Sequence, residues 1–163
     1  MALLPTMPHK NFAVIVKSCK INGVKMIKRI ENGASGREFV KCIAMAVREK
    51  CANILKEAQF FSILCDASQA RKTNKEKELV MARIERCGSP FYMVLDLVDI
   101  DRFGGGEADS IVKGINNIFE TGEFKLDSND YTNKLVSITS DGASVNFGKY
   151  CGVIAQILIY IFL

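Results

Sequence analysis

Two short apolar runs along the chain each end on an aspartate. The first, Phe60 to Ser68, reads FFSILCDAS, and its aromatic and β-branched residues predict a central strand buried on both faces. The second, Leu135 to Thr139, leads through Ser140 into Asp141. Both Asp66 and Asp141 are therefore expected at strand ends, where ligands and metals gather in sheets that carry helices. A plain turn or helix-capping role for each aspartate is the competing interpretation.

The pattern between these runs predicts a hairpin followed by a helix. Residues 77–87 alternate between polar and apolar, and residues 91–100 are strand-like, so an antiparallel hairpin with a tight connection at Gly88 to Pro90 is expected. Apolar residues between Ala108 and Ile118 recur at helical spacing. A polar loop is expected to reach Lys134, a small-residue turn should follow Asp141, and residues 149–163 should form a final helix.

The pattern before the first run predicts helices. Phe12 to Ile30 mixes apolar and basic residues, and Asn22-Gly23 is expected to break it into two short helices. Ser35 and Glu38 have the spacing of a capping box, which predicts the start of a long helix. The apolar stripe expected along that helix consists of Val40, Ile43, Val47, Cys51 and Ile54.

The order of these elements predicts an α/β protein. A hairpin followed by a helical crossover and a parallel strand gives a mixed sheet of about four strands with flanking helices. This arrangement resembles an incomplete ribonuclease H-like fold. Residues 1–58 are expected to form an N-terminal basic helical segment, and residues 59–163 the truncated ribonuclease H-like core.

Charge and cysteine content narrow the possible partners. Residues 1–58 hold 11 basic and 4 acidic residues, whereas residues 59–163 hold 11 basic and 14 acidic residues. The basic segment is a candidate surface for DNA, although lysines and arginines also serve as plain solubilising charge. The six cysteines include no CxxC pair, which argues against zinc and favours a reducing intracellular compartment.

Three function classes find no support in the pattern. No charged segment followed by an apolar one opens the chain, so no secretory signal is predicted. The apolar run at residues 153–163 is shorter than the roughly 20 residues needed to cross a bilayer, so no membrane association is expected. Glycines 104–106 lack the Lys-Ser/Thr of a phosphate loop, so they are interpreted as a connector and no small-molecule substrate is predicted.

Three segments together resemble the catalytic core of hAT-superfamily transposases. They read FFSILCDAS, KELVMARIERCGSPFYMVLDLVDI and LVSITSDGASVNFGKYCGVIAQI, and they are most similar to domesticated, zinc-finger-protein-like relatives. The block SDGASVNFGKYCGV is the most specific part. The resemblance implies that Asp66 is the first catalytic acid and Asp141 the second. It further implies that both hold Mg²⁺ or Mn²⁺ for DNA cleavage and strand transfer, and that the protein is nuclear.

The chain also departs from the hAT pattern. The family completes its site with a glutamate beyond a large helical insertion, and these 163 residues do not include it. The family's N-terminal zinc-binding finger and its C-terminal dimerisation segment are also missing, and Ala67-Ser68-Gln69 differs from the usual continuation. The expectation is a fragment of a transposase-derived protein that is not itself catalytic, with weak or absent cation binding.

Two other functions stay open at this point. The first is a non-catalytic nuclear interaction or nucleic-acid-binding module on the same scaffold, since a fold does not fix a function. The second is an unproductive gene-model fragment with no function. A protein partner or a second copy of the chain is also left open.

Overall fold

The computed structural model describes residues 12–25, 33–70, 75–141, 144–148 and 152–162. The chain divides into two compact units, residues 1–48 and 49–163. The division into a basic segment, 1–58, and a core, 59–163, which rests on composition and charge, stays a prediction.

The first unit contains one short helix and most of a long one. Helix α1, Phe12–Ile21, ends at Asn22-Gly23 as expected, where Gly23 takes a positive φ of 79°. Helix α2, Gly33–Glu57, continues into the second unit. Because α2 already begins at Gly33, Ser35 lies inside its first turn and the predicted capping box is wrong. Phe12 of α1 packs on Phe39 of α2, with 6.1 Å between ring centroids.

The apolar stripe predicted for α2 is buried only near the helix's end. Val40, Ile43 and Val47 are exposed, whereas Cys51 and Ile54 are partly buried against the core of the second unit. The fully buried residues of this helix are their neighbours Ala52 and Leu55, which the stripe did not include. Helical spacing identifies an apolar face, but it does not say which turns of that face meet another surface.

The second unit is built on a four-stranded mixed sheet in the order β3-β2-β1-β4. Strand β1 pairs antiparallel with β2 and parallel with β4, and β2 pairs antiparallel with β3. This result confirms the expected mixed sheet, hairpin and parallel fourth strand. The four strands are β1, Phe61–Ala70; β2, Lys75–Arg86; β3, Ser89–Asp99; and β4, Leu135–Ser140.

The β2–β3 connection is tighter than predicted. Cys87 and Gly88 both have positive φ, 52° and 76°, which is the backbone of a two-residue type I′ turn. Ser89 and Pro90 therefore belong to β3 rather than to the connection. Proline is tolerated in β3 because this strand lies at the edge of the sheet.

Helices cover one face of the sheet. After β3 comes a 3₁₀ turn at Ile100–Phe103. Helix α3, Ala108–Glu120, follows and contributes seven of its residues to the buried interior. Helix α4 occupies part of the predicted polar loop, and the Asp127 carboxylate caps it by accepting the Asp130 amide at 2.7 Å. The helices that follow β3 along the chain are α3, Ala108–Glu120; α4, Ser128–Lys134; α5, Ser144–Phe147; and α6, Val153–Phe162.

The two faces of the sheet differ sharply. Phe61, Ile63 and Cys65 point into the core together with side chains from α3 and α6. The opposite face exposes apolar side chains, so the prediction that the first strand is buried on both faces is wrong. The large exposed side chains at this face and its margin are Phe60, Tyr92, Val94, Leu97 and Val136. Within the described residues, no helix is long and apolar enough to cross a membrane.

Candidate active site at the acidic end of the sheet

Asp66 and Asp141 follow the last residue pair of the same parallel ladder. The β1–β4 pairing ends at Cys65 opposite Ser140, and each aspartate is the next residue of its chain segment. The prediction that their strands are adjacent and parallel is confirmed. Both aspartates are exposed.

The environment of Asp66 differs from the prediction in one respect. It does not end its strand, because β1 continues to Ala70 and stays paired with β2, with Asp66 opposite Leu79. The antiparallel ladder with β2 holds the backbone extended after β4 has ended. The carboxylate thus projects from a strand rather than from a turn, which makes its position more rigid.

Asp141 is held in place by its own segment. The Asn146 side-chain amide donates to Asp141 Oδ1 at 2.8 Å, and the Ser140 hydroxyl donates to the same oxygen at 3.4 Å. Asn146 lies in α5, five residues after the aspartate, and it is only 2% exposed. Two residues of the motif SDGASVN, Ser140 and Asn146, therefore hold one carboxylate oxygen of Asp141.

A third acidic residue, Glu78, lies opposite Ala67, the residue after Asp66, and was missed by sequence reasoning. It is 1% exposed, and its Oε1 has no hydrogen-bond partner within the described chain. Burial, then the negative charges of Asp141, Asp66 and Glu76, raise the pKa of Glu78 from its ordinary value of 4.5 to about 7.

The sequence did contain a signal for Glu78. It falls in the same alternating set as the apolar residues Val80, Ala82 and Ile84, so the pattern puts a carboxylate on the core face of β2. A charge at an apolar position of a period-two pattern breaks the local rule, and such breaks concentrate at functional sites.

The side chain of Cys65, which is buried in the same region, stays a protonated thiol. Burial, with a smaller contribution from the charge of Glu78, raises the pKa of Cys65 to about 12. Because the thiolate is the nucleophilic form, Cys65 acts as a small core residue, as predicted for several of the cysteines.

The carboxylate oxygens of this region are suitable ligands for a hard cation, but the side chains do not form a complete metal site. In the parts of the chain that the structure describes, no three carboxylate, thiol or imidazole groups lie close enough together to hold a metal ion. Asp66 and Asp141 supply oxygen ligands, which Mg²⁺ and Mn²⁺ prefer, and Mg²⁺ usually keeps several waters alongside one or two carboxylates. A bound cation would stabilise charge on phosphodiester oxygens.

One cavity lies away from these carboxylates. It has a volume of about 390 Å³ and is lined by Phe60, Ser62, Arg83 and Val136 among others, near the start of β1.

Comparison with known proteins adds no assignment, since neither the models of known protein families nor the curated proteins include a match to this chain.

Proposed function

We propose that this chain is a fragment of a hAT transposase-derived protein, with an incomplete ribonuclease H-like core and no catalytic activity of its own. The parent activity is metal-dependent DNA cleavage and strand transfer. One observation carries the proposal: Asp66 and Asp141 each follow the final pair, Cys65 opposite Ser140, of two adjacent parallel strands. Two carboxylates at such an edge are what phosphoryl-transfer chemistry with Mg²⁺ or Mn²⁺ needs.

The sheet order and the charge around the site also support the proposal. In the order β3-β2-β1-β4, the parallel strand is added beside the first strand of a three-stranded meander, as the ribonuclease H-like expectation requires. Burial, followed by the negative charges of Asp141, Asp66 and Glu76, raises the pKa of Glu78, and this concentration of negative charge would attract a divalent cation. A nuclear location follows from the same proposal.

The proposed lack of activity rests on the carboxylate set at this edge of the sheet. The two-ion mechanism places cations on both sides of the scissile phosphate, and no three carboxylate, thiol or imidazole groups of the described residues lie close enough together to hold a metal ion. Asp66 and Asp141 would hold and orient one hydrated cation at the sheet edge. They would leave the second position without its ligand.

A cleavage and strand-transfer assay with Mg²⁺ or Mn²⁺ tests the proposal, alongside Mn²⁺ binding by the same preparation. We expect Mn²⁺ binding that weakens in Asp66→Asn and in Asp141→Asn, and no DNA product from any of the three proteins. Strand transfer by the unaltered chain that disappears in both variants would contradict the lack of activity. Absence of Mn²⁺ binding at millimolar concentration would contradict the cation site itself.

A second candidate function, a nucleic-acid-binding module without catalysis, is favoured by the surface of the first unit. Exposed basic side chains lie along α1 and its C-terminal end and along α2; they are Lys17, Lys20, Lys25, Arg37 and Lys41. Such a surface would bind the phosphate backbone without base recognition.

A gel-shift assay at low and high salt tests this second function. We expect weak, sequence-independent DNA binding that falls steeply with salt, because phosphate contacts release counterions. The double variant Lys17→Glu, Lys41→Glu should lose most of the binding, whereas Lys125→Glu, an exposed lysine of the second unit, should lose little. Binding that ignores salt would contradict the interpretation.

A further inference from the structure

Glu78 is a carboxylate in an apolar position without a partner for one of its oxygens. It shares the core face of the sheet with Cys65 and Val80, and it is 1% exposed. No described residue donates a hydrogen bond to its Oε1. Leaving a buried oxygen unpaired destabilises the folded protein, so such an atom indicates a ligand that the protein itself does not supply.

The charges that act on Glu78 are of one sign. Within the described chain, Asp141, Asp66 and Glu76 each add negative potential at its carboxyl group. Asp99, a half-buried acid on the neighbouring strand β3, provides the contrast, since Lys77 and Arg102 lie 3.8 and 3.7 Å from its Oδ2. The environment of Asp99 is compensated by the protein's own cations, and the environment of Glu78 is not.

A second unpaired oxygen lies next to Asp141. Asn146 uses its Nδ2 to hold Asp141 Oδ1, while its Oδ1 is buried and accepts no hydrogen bond from the residues the structure describes. Amide carbonyl oxygens, like carboxylates, are ligands for hard divalent cations. Two unpaired buried oxygens therefore flank one clamped carboxylate.

Glu78 is buried on the helix-covered face of the sheet, and the buried side chain of Asn146 in α5 holds the Asp141 carboxylate. Glu78 is on β2, where it lies opposite Ala67 of β1. Asp141 directly follows β4, which pairs with the other edge of β1. Neighbouring strands are about 4.8 Å apart, so the two backbones are about 10 Å apart across β1, a gap that two acidic side chains and a hydrated cation can span. Asp66, which lies opposite Leu79, projects toward the other face of the sheet. It would therefore attract the cation through its charge without acting as a ligand.

We propose that Glu78, Asp141 and the Oδ1 atom of Asn146 together hold a divalent cation, Mg²⁺ or Mn²⁺, on the helix-covered side of β1. The proposal rests on the proposed function, because it uses Asp141 of that site. It assigns Glu78 and Asn146 as the other protein ligands, and Asp66 contributes through its charge. Water completes the coordination of the ion. Glu78 contributes to binding and not to the placement of a second ion.

Mn²⁺ binding to the whole 163-residue chain, measured from the electron paramagnetic resonance signal of free Mn²⁺, tests the proposal. We expect Glu78→Gln and Asp141→Asn each to weaken binding by at least about tenfold, since each removes a charged ligand. Glu85→Gln is the matched control on the same strand, because Glu85 is exposed and its oxygen accepts the Gly88 amide, which glutamine can also do. This control should bind Mn²⁺ as the unaltered chain does.

The outcomes separate this inference from the proposed function. Unchanged Mn²⁺ affinity in Glu78→Gln, with loss of affinity in Asp66→Asn and Asp141→Asn, would overturn the role of Glu78 and leave the proposed site intact. No binding by the unaltered chain would overturn both. Unfolding is excluded as a cause by thermal denaturation without metal, in which Glu78→Gln should melt at or above the temperature of the unaltered chain, because glutamine removes the charge repulsion.

Discussion

Two parts of strand β1, one around Phe61 and one around Asp66, have opposite surroundings. At its start, Phe61 stacks with Phe119 and Tyr131 at centroid distances of 5.7 and 6.5 Å, and those two rings lie 4.7 Å apart. The polar end of this cluster is satisfied, because the Tyr131 hydroxyl donates to Asn116 Oδ1 at 3.2 Å. Five residues after Phe61, the chain reaches Asp66, where acidic groups and unpaired buried oxygens come together.

The difference shows where stability and chemistry lie in this unit. The aromatic end buries large apolar surfaces with their polar atoms paired, which stabilises the fold. The acidic end destabilises the fold through the buried carboxylate of Glu78, whose charge can be compensated by a proton or by a bound cation. Substitutions at the aromatic end should therefore weaken folding, and neutral substitutions at the acidic end should strengthen folding while they weaken ligand binding.

The largest effect is expected at the aromatic end. Phe119→Ala should lower the free energy of unfolding by about 3–5 kcal/mol, because it removes a fully buried ring and leaves a cavity beside Phe61 and Tyr131. Chemical denaturation followed by circular dichroism measures the change. Tyr92→Ala, on the exposed face of the sheet, is the control and should cost less than about 1 kcal/mol. Equal losses in both variants would contradict the assignment of the core to one face.

A smaller effect of opposite sign is expected at the acidic end. The folded state raises the pKa of Glu78 from 4.5 to about 7, so the folded chain holds a proton that the unfolded chain releases between these values. This contribution to stability is fully present below pH 4.5 and is lost as pH rises to about 7. The expected loss is at most about 3 kcal/mol.

The variant Glu78→Gln isolates this pH-dependent contribution of Glu78 to stability. In metal-free buffer, the variant should gain stability over the unaltered chain as pH rises from 4.5 to 7, and the gain should level off above pH 7. Denaturation midpoints at several pH values measure the difference. A variant that stays equally or less stable throughout would show that Glu78 carries no repulsive energy.

The smallest effect concerns the helix that leads into β4. Asp127→Ala should cost about 1 kcal/mol, because the carboxylate caps α4 through the Asp130 amide at 2.7 Å. Asp127→Ser keeps an acceptor at the cap and should retain most of the stability. Thermal denaturation of both variants checks the prediction, and identical melting of the alanine variant and the unaltered chain would count against the cap.

The sequence predicted the sheet better than it predicted the helices. Alternation in β2 and β3 and the apolar runs around Ile63 and Ile138 identified all four strands and their pairing, because period-two burial is a local signal. Helix α4 was missed because its apolar surface is confined largely to Tyr131, which contacts the core only once the chain is folded.

The candidate site could be predicted only in part. Asp66 and Asp141 stand out because each interrupts an apolar run, whereas Glu78 directly follows the charged residues Lys75, Glu76 and Lys77 and reads as part of that charged segment. Its proximity to Asp141 depends on the β2–β1–β4 order, which joins residues 63 positions apart and is set by the tertiary structure. The unpaired oxygen of Asn146 likewise depends on how α5 folds back on the end of β4.

Paramagnetic broadening by Mn²⁺ in amide nuclear magnetic resonance spectra tests the central claim, that the acidic end of the sheet binds a cation, most directly. At substoichiometric Mn²⁺, the amide signals of Ala67, Glu78 and Asp141 should broaden first, while those of Phe119 and Tyr131 at the aromatic end should stay sharp. Glu78→Gln should require more Mn²⁺ for the same broadening. Uniform broadening of all signals, or broadening centred elsewhere on the chain, would contradict a cation site at this end of the sheet.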